Sequence, residues 1–135
     1  MFPPDTKILI VEDMNSIREA VVSLCRGLGF EKVHDCKDGA EAWEKMQTQG
    51  APFELVICDL NMPNSNGMDL LNRIRASKKF KDTCFIMISS QSDQKKIVAA
   101  IQAGADYFVI KPLRKTDFAE KLKLVHERKI GSKNK

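Results

Sequence analysis

Four short apolar runs, each ending at a residue capable of chemistry, constrain this chain more than any other feature. Ile8-Leu9-Ile10-Val11 leads into Glu12-Asp13, and Leu55-Val56-Ile57-Cys58 leads into Asp59. Phe85-Ile86-Met87-Ile88 leads into Ser89-Ser90, and Tyr107-Phe108-Val109-Ile110 leads into Lys111-Pro112. Runs of this length and composition predict buried strands of a parallel sheet, covered on both faces. In an open parallel sheet, ligands bind in the crevice beyond the carboxyl ends of the strands. Three carboxylates, a hydroxyl and an ammonium are therefore expected to converge on one pocket.

Helical patterns alternate with these runs. Ile17, Val21, Leu24 and Leu28 recur at helical spacing before Gly29. A shorter, more polar strand follows at Val33-His34-Asp35-Cys36, and Asp38 with Glu41 three residues on forms a capping-box pattern for a second helix. The third helix carries Met68, Leu71 and Ile74, and the fourth carries Ile97, Val98 and Ile101. The fifth carries Phe118, Leu122 and Val125, with Thr116 as its expected cap. Asn61 to Gly67 is turn-rich and reads as a loop.

Five strict β–α alternations imply one doubly wound, flavodoxin-like (βα)5 domain with right-handed crossovers. The polar second strand belongs at an edge, which a strand order of 2-1-3-4-5 provides, and the switch point then lies between strands 1 and 3. The expected division is a domain over residues 1–128 and a basic C-terminal tail over 129–135.

Composition narrows the class. The 135 residues are 43% hydrophobic and 30% charged, as in soluble globular proteins. No apolar run approaches the ~20 residues of a membrane span, and the N-terminus lacks a signal-peptide pattern; a cytoplasmic location without membrane insertion is expected. Cys25, Cys36, Cys58 and Cys84 have no CxxC spacing and read as small core hydrophobes in a reducing compartment. His34 and His126 lack partners at metal-ligand spacing. Residues 111–135 hold nine Lys/Arg against three Asp/Glu, whereas residues 1–110 hold thirteen against fifteen. The basic end suits a solvated helix terminus or an acidic partner. Without aromatic interleaving it gives no sign of direct nucleic-acid binding.

Glu12, Asp13 and Asp59 would meet where strands 1 and 3 emerge together. Carboxylates this close repel unless neutralised. A few carboxylates with water is the usual way of holding Mg²⁺. With Lys111 as fixed charge and Ser89 as hydroxyl donor, the set suits holding an anionic group by its oxygens while an aspartate attacks it, that is, phosphoryl transfer.

The acidic pair at 12–13, Asp59 followed by Met62-Pro63 and Gly67, then Ser89 and Lys111-Pro112 resemble the receiver domains of two-component response regulators. The layout is CheY-like and covers about residues 6–127. The resemblance implies that Asp59 is the phosphoacceptor, with Lys111 and Ser89 assisting. It also implies a Mg²⁺ cofactor held by Asp13, Asp59 and the Asn61 backbone carbonyl, with Glu12 acting directly or through water. Ser89 and Phe108 would form the switch, and Asn61 and Gln91 would tune phosphoryl lifetime.

The implied partners are a sensor histidine kinase or phosphotransfer protein, and an effector bound by the helix 4/strand 5/helix 5 face. That face offers Lys95, Lys96, Arg114, Lys115, Lys121 and Lys123. The expected role is a monomeric signalling protein, with chemotaxis as one setting, that catalyses only its own phosphorylation and dephosphorylation.

Three positions depart from the chemotaxis regulators. Phe108 stands for Tyr, Gln91 for an acid and Leu60 for Trp. Tyr107 should point away from Phe108 by strand alternation. Two architectures stay open: a stand-alone regulator or a receiver belonging to a longer one. An aspartyl-phosphate phosphatase would need an acid where Asn61 stands. A receiver that is never phosphorylated, serving as a binding scaffold, is the remaining alternative.

Overall fold

Each apolar run becomes a strand because its alternate residues enter two separate cores. The computed structural model describes residues 1–48, 50–62, 66–90 and 94–133, with side chains through Lys129. The elements are β1 (Lys7–Val11), α1 (Asn15–Gly27), β2 (Lys32–Cys36), α2 (Gly39–Thr48) and β3 (Leu55–Asp59). They continue with α3 (Gly67–Ala76), β4 (Cys84–Ser89), α4 (Gln94–Gln102), β5 (Tyr107–Ile110) and α5 (Lys115–Lys133). The strands form one parallel sheet in the order β2-β1-β3-β4-β5.

One sheet face turns Leu9, Val11, Val56, Cys58, Phe85, Met87 and Phe108 toward α2, α3 and α4. The other turns Ile8, Ile10, Ile57, Ile86, Ile88 and Val109 toward α1 and α5. This two-sided burial explains the unbroken apolar runs. Edge strand β2 is only partly covered, burying Val33 in one core and Cys36 in the other and exposing Lys32 and Asp35. Phe108 and Tyr107 enter opposite cores, as alternation requires.

Helix ends follow local chemistry in part. The Glu41 N–H donates to Asp38 Oδ1 at 2.8 Å, the capping bond read from the sequence. Asn66 caps α3, accepting from the Asp69 N–H at 3.0 Å. Thr116 is not a cap: α5 already begins at Lys115, and the Phe118 N–H donates to the Arg114 carbonyl. Nor does α4 bury all of its apolar residues. Ala100 is buried and Ile97 half-buried, but Val98 and Ile101 are 44% and 47% exposed. Helix α5 runs through Lys133, so residues 129–133 are helical. No helix among the described residues is long and apolar enough to cross a membrane.

The four cysteines are free and buried. Burial pushes the Cys25, Cys36 and Cys84 thiols up to about 12 and raises Cys58 well above its ordinary value. Because the thiolate is the reactive species, iodoacetamide at pH 8 should leave the folded protein unmodified while the urea-unfolded chain takes four labels. A thiol alkylated at the unfolded rate in the native protein would contradict this packing.

Candidate functional site

Register brings the reactive residues together. Asp59 pairs with Ile88 and Ser89 with Ile110. Just beyond the ladder, the Glu12 N–H donates to the Cys36 carbonyl and the Lys111 N–H to the Ser89 carbonyl. The four strand ends therefore reach one end of the sheet; β2 ends there too, beside β1 at the outer side of the order, but in buried Cys36.

Lys111 Nζ donates to Glu12 Oε1 at 2.7 Å and lies 3.4 Å from Asp59 Oδ1. Glu12 is fully buried and Asp59 only 5% exposed. Glu12, Asp13 and Asp59 each offer a carboxylate oxygen, and the three oxygens lie within 4.8 Å of one another. Burial and then the Asp59 carboxyl raise the pKa of Glu12, against the opposing pull of Lys111. Burial and Glu12 likewise raise Asp13. Burial alone would lower Lys111, but Glu12 and Asp59 outweigh it and leave the ammonium above its ordinary value.

One cation does not satisfy this set. Glu12 Oε2 is buried without a hydrogen-bond partner, which is costly for a carboxylate. An all-oxygen cluster with an orphaned oxygen fits a hard divalent ion. The donors present are thus suited to Mg²⁺.

The open part of the site is a cavity of about 490 Å³ lined by Asp13, Met14, Ile17, Asp59, Asn61, Met62, Asn66, Ser90 and Lys111. Asn61 lies where the sequence placed it, and its N–H points toward Asp59 Oδ1 at 3.5 Å. Ser89 is fully buried in β4, and the serine on the cavity wall is Ser90. Met14, Ile17 and Ser90 were not singled out as site residues. They lie just past strand ends or on α1, where the crossover path decides what faces the pocket. Gln91 lies outside the described residues. The Lys111–Pro112 peptide is cis.

A family model described as the response regulator receiver domain matches residues 8–123. The chain belongs to this family. Chemotaxis protein CheY1 of Helicobacter pylori is 34% identical over 119 residues, 88% of this chain and 95% of that protein. Chemotaxis protein CheY-3 of Vibrio cholerae is 36% identical over 122 residues, 90% of this chain and 92% of that one. The solved structure of TrrA from Thermotoga maritima, a response regulator protein in complex with Mg(2+)-BeF, superposes with a TM-score of 0.76 at 30% identity. It covers 89% of this chain and 98% of TrrA. This receiver has Phe108 inside the core under α2, α3 and α4, and its Trp43 packs edge-on against Phe80 under the Arg73 guanidinium.

Proposed function

We propose that this receiver is a Mg²⁺-dependent phosphoacceptor, in which Asp59 takes a phosphoryl group from the phosphohistidine of a sensor histidine kinase or phosphotransfer protein. The observation that carries the reading is a nearly buried Asp59 carboxylate at the end of β3, with Lys111 3.4 Å away and two more carboxylates beside it. A carboxylate stripped of water and held in place is a competent nucleophile toward phosphorus.

Each neighbour has a role within this reading. Lys111 offsets the negative charge that would otherwise repel an incoming phosphoryl group. The Ser89 hydroxyl donates to a phosphoryl oxygen. The Asn61 N–H helps to hold Asp59 Oδ1 in one orientation. Asp13, Asp59 and the Asn61 carbonyl would hold Mg²⁺ with Glu12 close by. Bound there, the ion supplies the positive charge that neutralises phosphoryl oxygens. The chain turns over no other substrate and acts as a signalling protein.

Phosphorylation adds a charge of about −1.5 to −2 and three strong acceptors. In this reading Ser89 and Phe108 shift together and alter the α4/β5/α5 face. That face exposes Val98, Ile101 and Ile110 among Arg114, Lys115 and Lys123. It suits an acidic partner segment with an apolar stripe.

The test is incubation with acetyl phosphate and Mg²⁺, read by intact mass, on wild type and Asp59→Asn. The expected result is one phosphoryl adduct on wild type and none on the variant. No adduct on either would leave a receiver that serves as a binding scaffold. For the output face, a beryllofluoride complex should shift amides over residues 94–125; unchanged shifts there would remove the switch from the reading.

A further inference from the structure

Glu12 and Asp13 sit on the turn between β1 and α1, and that turn lacks the usual anchor. Its last residue, Met14, is the N-cap of α1, a position where a side-chain oxygen ordinarily holds the first turn of a helix. Arg18 reaches back one turn instead. Its Nη1 donates to the Glu12 carbonyl at 3.0 Å, its Nη2 to Asn15 Oδ1 at 2.6 Å, and its Nε to Asp35 Oδ2 on β2 at 2.9 Å. The Arg18 side chain is only 17% exposed, so these charge-assisted bonds are partly shielded from water.

The Glu12 carbonyl belongs to the peptide plane that leads into Asp13. On the other side of the residue, the Glu12 N–H donates to the Cys36 carbonyl. Both backbone groups of Glu12 are therefore held, one by the β2 backbone and one by a guanidinium braced on β2 through Asp35. This fixes the plane from which Asp13 brings its carboxylate to within 4.8 Å of the Glu12 and Asp59 oxygens. We propose that Arg18, oriented by Asp35, is a positioning residue that presets Asp13 for the divalent cation. The proposal rests on the Mg²⁺-dependent reading above and extends it to two residues that act through the backbone.

Charge and position predict opposite results. Removing a cation from the neighbourhood of an acidic site strengthens Mg²⁺ binding by electrostatics alone. Removing a brace weakens it, since outer partners of metal ligands are typically worth roughly 10–100-fold in affinity. The test is a titration with Mg²⁺ alone, followed by the amide shifts of Asp13, Asp59 and Asn61. Arg18→Met should bind about tenfold more weakly than wild type. Arg18→Lys should lose nearly as much, because an ammonium keeps the charge but lacks the fork that holds Glu12, Asn15 and Asp35 together. Asp35→Ala, at an exposed position, should show a smaller loss that disappears in the Arg18→Met background. At saturating Mg²⁺, acetyl phosphate labelling of each variant should return to near the wild-type rate, a split that a distorted fold would not give.

Unchanged or tighter Mg²⁺ binding by Arg18→Met, or wild-type binding by Arg18→Lys, would overturn the assignment and leave the phosphoacceptor reading intact. An Asp35→Ala loss that persists without Arg18, or labelling that stays low at saturating Mg²⁺, would do the same. If Arg18→Met is unfolded in metal-free buffer, Arg18→Lys and Asp35→Ala decide, and wild-type affinity in both overturns the assignment. Wild-type protein that binds no Mg²⁺ at these residues would overturn both.

Discussion

Gly67→Ala is expected to destabilise the protein by about 2–3 kcal/mol, the upper part of the range for forcing atoms into a filled interior. A Cβ built on Gly67 would lie 2.6 Å from the Asp59 carbonyl oxygen and 2.7 Å from the Met87 sulfur. Met87 is fully buried, and the Asp59 oxygen belongs to the backbone at the end of β3, so neither can yield cheaply. The Gly67 N–H also donates to the Leu60 carbonyl at 2.9 Å, closing the loop that carries Asn61. Relief of the clash therefore has to move the backbone of the proposed acceptor itself. Urea unfolding should show the loss, and acetyl phosphate labelling should fall with it. Gly27→Ala is the control, since its Cβ would meet only the end of the Lys115 side chain, Nζ at 3.7 Å and Cε at 3.9 Å, ordinary contacts. In the last turn of α1 that change should be neutral or stabilising by up to ~1 kcal/mol. If the two variants unfold at the same urea concentration, close approach at Gly67 is not what the site depends on.

The same geometry explains why so much of the site was legible in the sequence. A parallel strand buried on both faces has to be apolar along its length, so its first polar residue marks where it leaves the core. Four such marks at 12–13, 59, 89 and 111 locate the end of the sheet that carries the site, and the polar β2 identifies the outermost strand. Period-two alternation likewise separates Phe108 from Tyr107. Helix surfaces were less legible. Val98 and Ile101 match the apolar spacing of a core face, yet α4 buries only the side carrying Ala100, and spacing alone does not say how wide the covered stripe is. Thr116 has the chemistry of a cap, but the first turn of α5 closes on Arg114. The wall residues Met14, Ile17 and Ser90 depend on how each crossover departs from its strand, and a one-dimensional pattern does not contain that path.

Lys111→Met should cost about 2–3 kcal/mol in metal-free buffer at pH 8, toward the lower end for a broken buried ion pair because Lys111 retains some exposure. The variant leaves Glu12 fully buried beside Asp59 without its cation. A carboxyl in that position responds by holding its proton, so its folded pKa rises further above the ordinary value of 4.5. Stability from a group whose folded pKa is raised is fully present below the unfolded pKa and is lost as pH rises through the folded one. The variant's deficit should therefore be small near pH 4.5 and grow toward pH 8. In the wild type, Lys111 is itself raised, so its own contribution persists through this window and fades only above its unfolded value of 10.5. Adding Glu12→Gln to Lys111→Met should restore most of the loss, because an amide keeps the shape of the side chain and removes the charge that needed a partner. Urea unfolding of the four proteins of this cycle, at pH 5 and pH 8, measures the coupling directly. A deficit that is equal at the two pH values, or that the Gln change does not repair, would mean that Lys111 supports the fold through packing rather than through the carboxylates at the end of β1 and β3.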